Sequence, residues 1–129
     1  MLDQPISEGP YSSEGLPVVV LTGEIDLAAA PSLRESLARL LGTGQSDVYV
    51  DLLDATFLDS IALGVLVGAL EQCRESGGDL HLLVTEPRIL RVLEITGLSS
   101  TFTIHGSREP LLRLRPRGSG ARMEEVTQQ

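Results

Sequence analysis

The sequence predicts an α/β fold: one small domain whose mostly parallel sheet of four to five strands carries three to four helices. Three observations predict it. Apolar runs of strand length alternate with amphipathic segments of helix length, the pattern of right-handed crossovers between parallel strands. The 129 residues are one domain's worth of chain and can bury roughly two-thirds of their unfolded surface without staples. No apolar run reaches 18 residues and the N-terminus does not resemble a signal peptide, so a cytoplasmic protein with no membrane segment is expected.

The elements follow in order. Residues 1–15 are polar, with two prolines and two glycines, and read as a loose arm; the domain proper is expected over 16–115 and a disordered tail over 116–129. Pro17 opens a β-branched run, Val18 to Ile25, of strand length. From Pro31 to Leu41 the residues Leu33, Leu37, Leu40 and Leu41 recur at helical spacing, with Pro31 in the first turn and Gly42-Thr43-Gly44 closing the helix. Val48 to Leu53 is nearly continuous in apolar character apart from Asp51, as expected of a strand covered on both faces. A short loop with the apolar anchors Phe57 and Leu58 leads to a second helix, Ser60 to about Glu75, closed by Gly77-Gly78. Leu80 to Val84 is a third strand. Thr85 suits the N-cap of a third helix striped by Ile89, Leu90, Val92, Leu93 and Ile95, with Gly97 beyond its end. Phe102 to Ile104 is a short last strand, and Leu111, Leu112 and Leu114 add one further helical turn.

Composition excludes several function classes. The single cysteine, Cys73, rules out an internal disulfide framework and a cysteine zinc cage, and His81 and His105 have no metal-site spacing. With no Trp, two Phe and two Tyr, stacking on single-stranded nucleic acid is not expected. All ten basic residues are arginine, which excludes a P-loop lysine, a Schiff-base lysine and the lysine of a phospho-receiver domain. Residues 1–70 hold ten acids against Arg34 and Arg39, a net charge of −8, while residues 71–129 balance. This asymmetry argues against nucleic acid and for a protein partner with a basic face.

Most information sits between Leu52 and Leu70. Residues 61–70 contain no polar side chain, whereas a surface helix normally shows a charged face. So small a fold cannot bury such a helix on all sides, and part of it is expected to meet a partner. Gly64 and Gly68 lie four apart on one face, which suggests close approach of another backbone at a helix-propensity cost of ~1 kcal/mol each. Ser60 falls at the N-cap, and capping alone is the plain reading of it. The functional reading is that a helix N-terminus also accommodates phosphate, so that phosphoserine could be held there beside Asp59.

These residues resemble the STAS domain of anti-sigma-factor antagonists. Asp51-Leu52, Phe57-Leu58-Asp59-Ser60 and Leu63-Gly64-Val65-Leu66 match the family's signature. Leu21-Thr22-Gly23-Glu24-Ile25-Asp26 with Ala30-Pro31 is similar to its Gly-Glu-Leu-Asp strand end. Gly77-Gly78-Asp79-Leu80 and Val92-Leu93-Glu94-Ile95-Thr96-Gly97-Leu98 supply a third match, so the likeness covers roughly 17–106. It implies a protein that, unphosphorylated, binds an anti-sigma factor which is also a serine kinase. Phosphorylation at the position of Ser60 releases it, and a metal-dependent serine phosphatase resets it. The resemblance implies a partner surface of Glu24, Asp26, Asp59, Ser60, Ile61, Gly64, Val67 and Gly68, no catalytic machinery or cofactor, and a monomer or weak dimer. Two positions depart from the pattern: Ile61 stands where a second Ser or Thr is usual, and Ala62 where Gly is usual.

Other residues have plainer readings. Asp26, Asp51, Asp54 and Asp59 could converge as a magnesium pocket but read first as loop and strand-end residues. Cys73 reads as a small core residue and His81 as a packed or exposed strand residue. The arginine-rich stretch 108–122 reads as a solvated tail unless it touches the acidic body or a partner. Two alternatives to the phosphoswitch remain: a STAS scaffold or ligand-binding module of the stressosome or lipid-transport kind, and an enzyme with a carboxylate site.

Overall fold

The β-branched run expected as the first strand forms β2 (Val18–Ile25) in the computed structural model, which describes residues 6–7, 17–42, 44 and 46–114. β2 pairs in parallel with β3 (Val48–Leu58), β3 with β4 (Leu80–Leu83), and β4 with β5 (Thr103–His105). A further two-residue strand, β1 (Ile6–Ser7), runs antiparallel against Leu21 and Val20. It lies in the segment read as a loose arm; two residues of alternating character are too few to signal a strand by pattern. The sheet order is β1-β2-β3-β4-β5.

Each parallel step moves one strand in the same direction, so right-handed crossovers place every helix on one face. These helices are α1 (Ala30–Leu41), α2 (Ser60–Glu75) and α3 (Pro87–Ile95). Their buried Leu33, Leu37, Leu66, Leu70, Ile89 and Leu93 form one core with Val19, Val48, Val50, Leu52, Leu80 and Leu82 of the strands. Among the described residues no helix is long and apolar enough to cross a membrane.

β3 is longer than the pattern indicates, because residues 54–58, expected as a loop, stay paired with Thr22 to Ile25. Two register shifts take up extra residues of β3 there, beside Gly23 at φ 75°, a left-handed conformation that favours glycine. Strand alternation then turns Leu58 inward and Phe57 outward, so only one of the two expected anchors is buried. At the other end of the sheet Gly78 lies against the Ser46 carbonyl, where any Cβ would collide. α3 is capped by Glu86, which accepts from the Arg88 N–H at 3.1 Å, rather than by Thr85. The last strand begins at Thr103, leaving Phe102 as a buried residue before it.

The opposite face is covered differently. After β5 the chain turns back, and a 3-10 turn, Glu109–Arg113, lays Leu111 against Val18 and Leu83. Leu112, read as part of the same apolar turn, is 80% exposed. Arg108 reaches β3: its Nε donates to Asp51 at 2.7 Å and its Nη2 to Asp54 at 3.0 Å. The head of the arginine-rich stretch is therefore fastened to the acidic body, while residues 115–122 and the expected tail lie outside the described residues. The Asp51 bond and the charges of Asp51 and Asp54 hold the guanidinium even more firmly protonated than usual.

On this face the Tyr49 ring stacks on His81 at a centroid distance of 4.3 Å, and His81 Nδ1 lies 3.0 Å from His105 Nε2. A contact that short holds one hydrogen between the rings, and a second would repel. Burial, then the neighbouring His81, lower the His105 pKa below its ordinary value. The unfolded chain therefore binds this proton more readily, so the contribution is present above the unfolded pKa and is lost as pH falls toward the folded one. Melting temperature should fall between about pH 7.5 and pH 5.5, and His105→Gln should flatten that slope in thermal melts. An equally steep slope in His105→Gln would show that another group is responsible. Asp79 acts in a separate, more acidic window: burial opposes its ionisation, but bonds from Thr103, Leu80 and Arg74 outweigh this and lower its pKa.

Candidate functional site

The end of β3 and the start of α2 form a single unit. The Asp59 N–H donates to the Ile25 carbonyl at 3.1 Å, tying the ends of β2 and β3 together. Asp59 has extended backbone angles and accepts from the Ala62 N–H at 2.9 Å, which makes it the N-cap of α2. Ser60 is the first helical residue, exposed, and its hydroxyl has no hydrogen-bond partner among the described residues. The capping role expected of Ser60 thus belongs to Asp59. Both residue types cap well; the helix spans Ser60–Glu75 as expected, and the extended Asp59 directly after β3 supplies the cap.

From Ser60 a groove of about 500 Å³ runs between α1 and α2. α2 contributes Ser60, Ile61, Gly64 and Gly68 to it, and α1 contributes Arg34 and Ala38. A Cβ built at Gly64 or Gly68 would meet nothing within 4 Å, so these glycines leave open surface that the fold itself does not require. Val67 is separate from the groove and half-buried against the core. The apolar residues of α2 divide accordingly: Ala62, Leu63, Leu66, Ala69 and Leu70 are buried, while Ile61 is 47% exposed.

Sequence reasoning missed two neighbours of this site. Phe57 and Leu27 are 43% and 64% exposed, at the β3 end and in the turn after β2. Strict alternation along β3 could have turned Phe57 outward; nothing local marked Leu27. Glu24 is exposed in register with Phe57, and Asp26 is exposed and caps the 3-10 turn Leu27–Ala29 by accepting from Ala28. The suggested magnesium pocket does not assemble. Asp51 and Asp54 bind Arg108, Asp26 caps a 3-10 turn, Asp59 caps α2, and no group of three possible metal ligands occurs among the described residues. Cys73 is buried, and burial together with Asp47 and Asp79 pushes its thiol up to about 11, far from a reactive thiolate.

Residues 11–110 match the model of the STAS domain. The chain belongs to the STAS domain family. Among its relatives, the anti-sigma-B factor antagonist of Bacillus subtilis strain 168 is 38% identical over 91 residues, 70% of this chain and 83% of that protein. The anti-sigma-B factor antagonist of Staphylococcus aureus strain NCTC 8325 is 34% identical over the same length, 84% of its own. The crystal structure of an anti-sigma factor antagonist from Mycobacterium paratuberculosis superposes with a TM-score of 0.69 at 25% identity, covering 86% of this chain and 96% of that one. The Bacillus cell fate determinant SpoIIAA in its phosphorylated form shares the fold, with a TM-score of 0.63 at 21% identity over 85% of this chain and 97% of its own. In this STAS domain the Asp59-Ser60 junction and the head of the groove lie at the carboxyl ends of the parallel strands, where α/β folds commonly place their sites.

Proposed function

We infer that the protein is an anti-sigma-factor antagonist working in the cytoplasm as a monomer or weak dimer. Unphosphorylated, it binds an anti-sigma factor that is also a serine kinase. The observation that carries this reading is the unengaged Ser60 hydroxyl at the head of an open, glycine-floored groove. The names of its relatives support the same role. In the transfer, Ser60 Oγ forms a bond to the γ-phosphorus of ATP as the bond to the β–γ bridging oxygen breaks. ADP leaves, and the hydroxyl proton passes to a base on the kinase. A metal-dependent serine phosphatase reverses the state by hydrolysis, returning inorganic phosphate and the free hydroxyl.

Glu24, Asp26, Asp59, Ile61, Gly64 and Gly68 form the proposed contact surface; half-buried Val67 supports it from within. Phosphate adds about two negative charges beside Asp59, on the acidic half of the chain, and fills the mouth of the groove. The bulk at the groove mouth favours release. Titration calorimetry against the kinase tests the reading with the unphosphorylated protein, the Ser60 phosphoprotein and Gly68→Arg. Gly68→Arg should weaken binding tenfold or more, roughly 1.4 kcal/mol. Its melting temperature should hold or rise, because arginine is the better helix former and the position is open. Equal affinities for all three proteins would overturn the reading and favour a scaffold without a phosphoswitch.

A further inference from the structure

We propose that Arg34 is the intramolecular counter-ion of phosphorylated Ser60, and that the phosphate draws it across the groove the partner would occupy. This rests on Ser60 being the phosphoacceptor. Arg34 and Arg39 are the two basic side chains of residues 1–70, and Arg34 makes no ion pair or hydrogen bond among the described residues. By contrast Arg74, Arg88, Arg108 and Arg113 each face a carboxylate. Arg34 is exposed and lines the same groove as Ser60.

The geometry favours the pairing. α1 and α2 each follow a parallel strand, so both helices start from the same edge of the sheet. Arg34 is the fifth residue of α1, about 6 Å along its axis. Helical side chains lean toward the N-terminus, which carries the guanidinium back to the level of Ser60 at the start of α2. No side chain at position 64 stands between them, because Gly64 floors the groove there.

The chemistry makes the pairing conditional. A neutral serine hydroxyl offers a guanidinium little, whereas phosphoserine offers three acceptor oxygens and about two negative charges. Asp59 cannot supply compensation, being itself an anion engaged as the cap of α2. The cation that fits is the one idle in the groove. Once recruited, its side chain lies over the open surface at Gly64, so phosphate and guanidinium together occlude the groove.

The test installs phosphoserine at position 60 by genetic encoding, which needs no kinase, and follows the phosphate by phosphorus NMR from about pH 4.5 to pH 8 at low ionic strength. A nearby guanidinium favours the dianion, so the second ionisation in Arg34→Gln should lie higher than in the parent phosphoprotein by about half a pH unit or more. Arg34→Lys should restore part of the difference, since it keeps the charge but loses the planar fork. A merely structural role for Arg34 would move the melting temperature and leave the titration in place. Coincident curves for the three phosphoproteins overturn the Arg34 assignment. The functional reading is judged separately: intact mass after incubation of the unmodified protein with kinase and ATP should show Ser60 labelled, and its failure would not alter the titration.

Discussion

Ser60→Ala is expected to accept no phosphoryl group and to bind the kinase at the affinity of the unphosphorylated protein whether or not ATP is present. Because Asp59, not Ser60, caps α2 and the Ser60 hydroxyl is unengaged, the substitution should change stability by no more than about 0.5 kcal/mol. The phosphorylated wild type should differ sharply. Phosphate bulk at the head of the groove blocks close approach of the partner and leaves its contacts at Gly64 and Gly68 unmade. Release by one to two decades is expected, at about 1.4 kcal/mol for each factor of ten, and Ser60→Ala should lose all of it. Intact-mass analysis after incubation with kinase and ATP, followed by titration, reads both halves. Labelling of another residue at the wild-type rate in Ser60→Ala would refute the assignment.

Much of the fold was legible because local patterns and the tertiary structure agree. The run Val18 to Ile25, the leucine spacing of α1 and the stripe of α3 each report the face they bury. The glycine pair at 64 and 68, read as a place for close approach of another backbone, lies on the open surface of α2. The failures occur where partners decide. Residues 54–58 look like a loop in isolation and are held as strand by β2 across two register shifts. Ser60 and Asp59 are both good caps, so their sequence could not say which residue the helix would use. The groove needs α1 as well as α2, and the exposure of Leu27 arises in a turn with no pattern of its own. Arg108 and Asp51 stand 57 residues apart, too far for any local signal to join them.

That last pair should be the most consequential ion pair for stability among the described residues. The Asp51 side chain is only 1% exposed, on a central strand, and besides Arg108 its Oδ1 accepts from the Leu53 N–H at 3.0 Å. Arg108→Met removes the cation and leaves a buried carboxylate, a change that costs about 3–5 kcal/mol when both partners are buried. Arg108 is 39% exposed, so water can partly replace it, and a loss of about 2–3 kcal/mol is expected. In a domain of this size that lowers the melting temperature by roughly 10 °C or more. The cost should lie in the stranded charge rather than in the missing contact, because the aliphatic stem survives in methionine. Asp51→Asn combined with Arg108→Met should therefore recover much of the loss, and the double-mutant cycle should show strong coupling. Kinase affinity below the melting transition should be unchanged, since the clamp lies on the sheet face opposite the helices and their groove. A wild-type melting temperature for Arg108→Met would mean that Asp51 is satisfied without its cation, and that Leu111 on Val18 and Leu83 suffices to hold the returning chain.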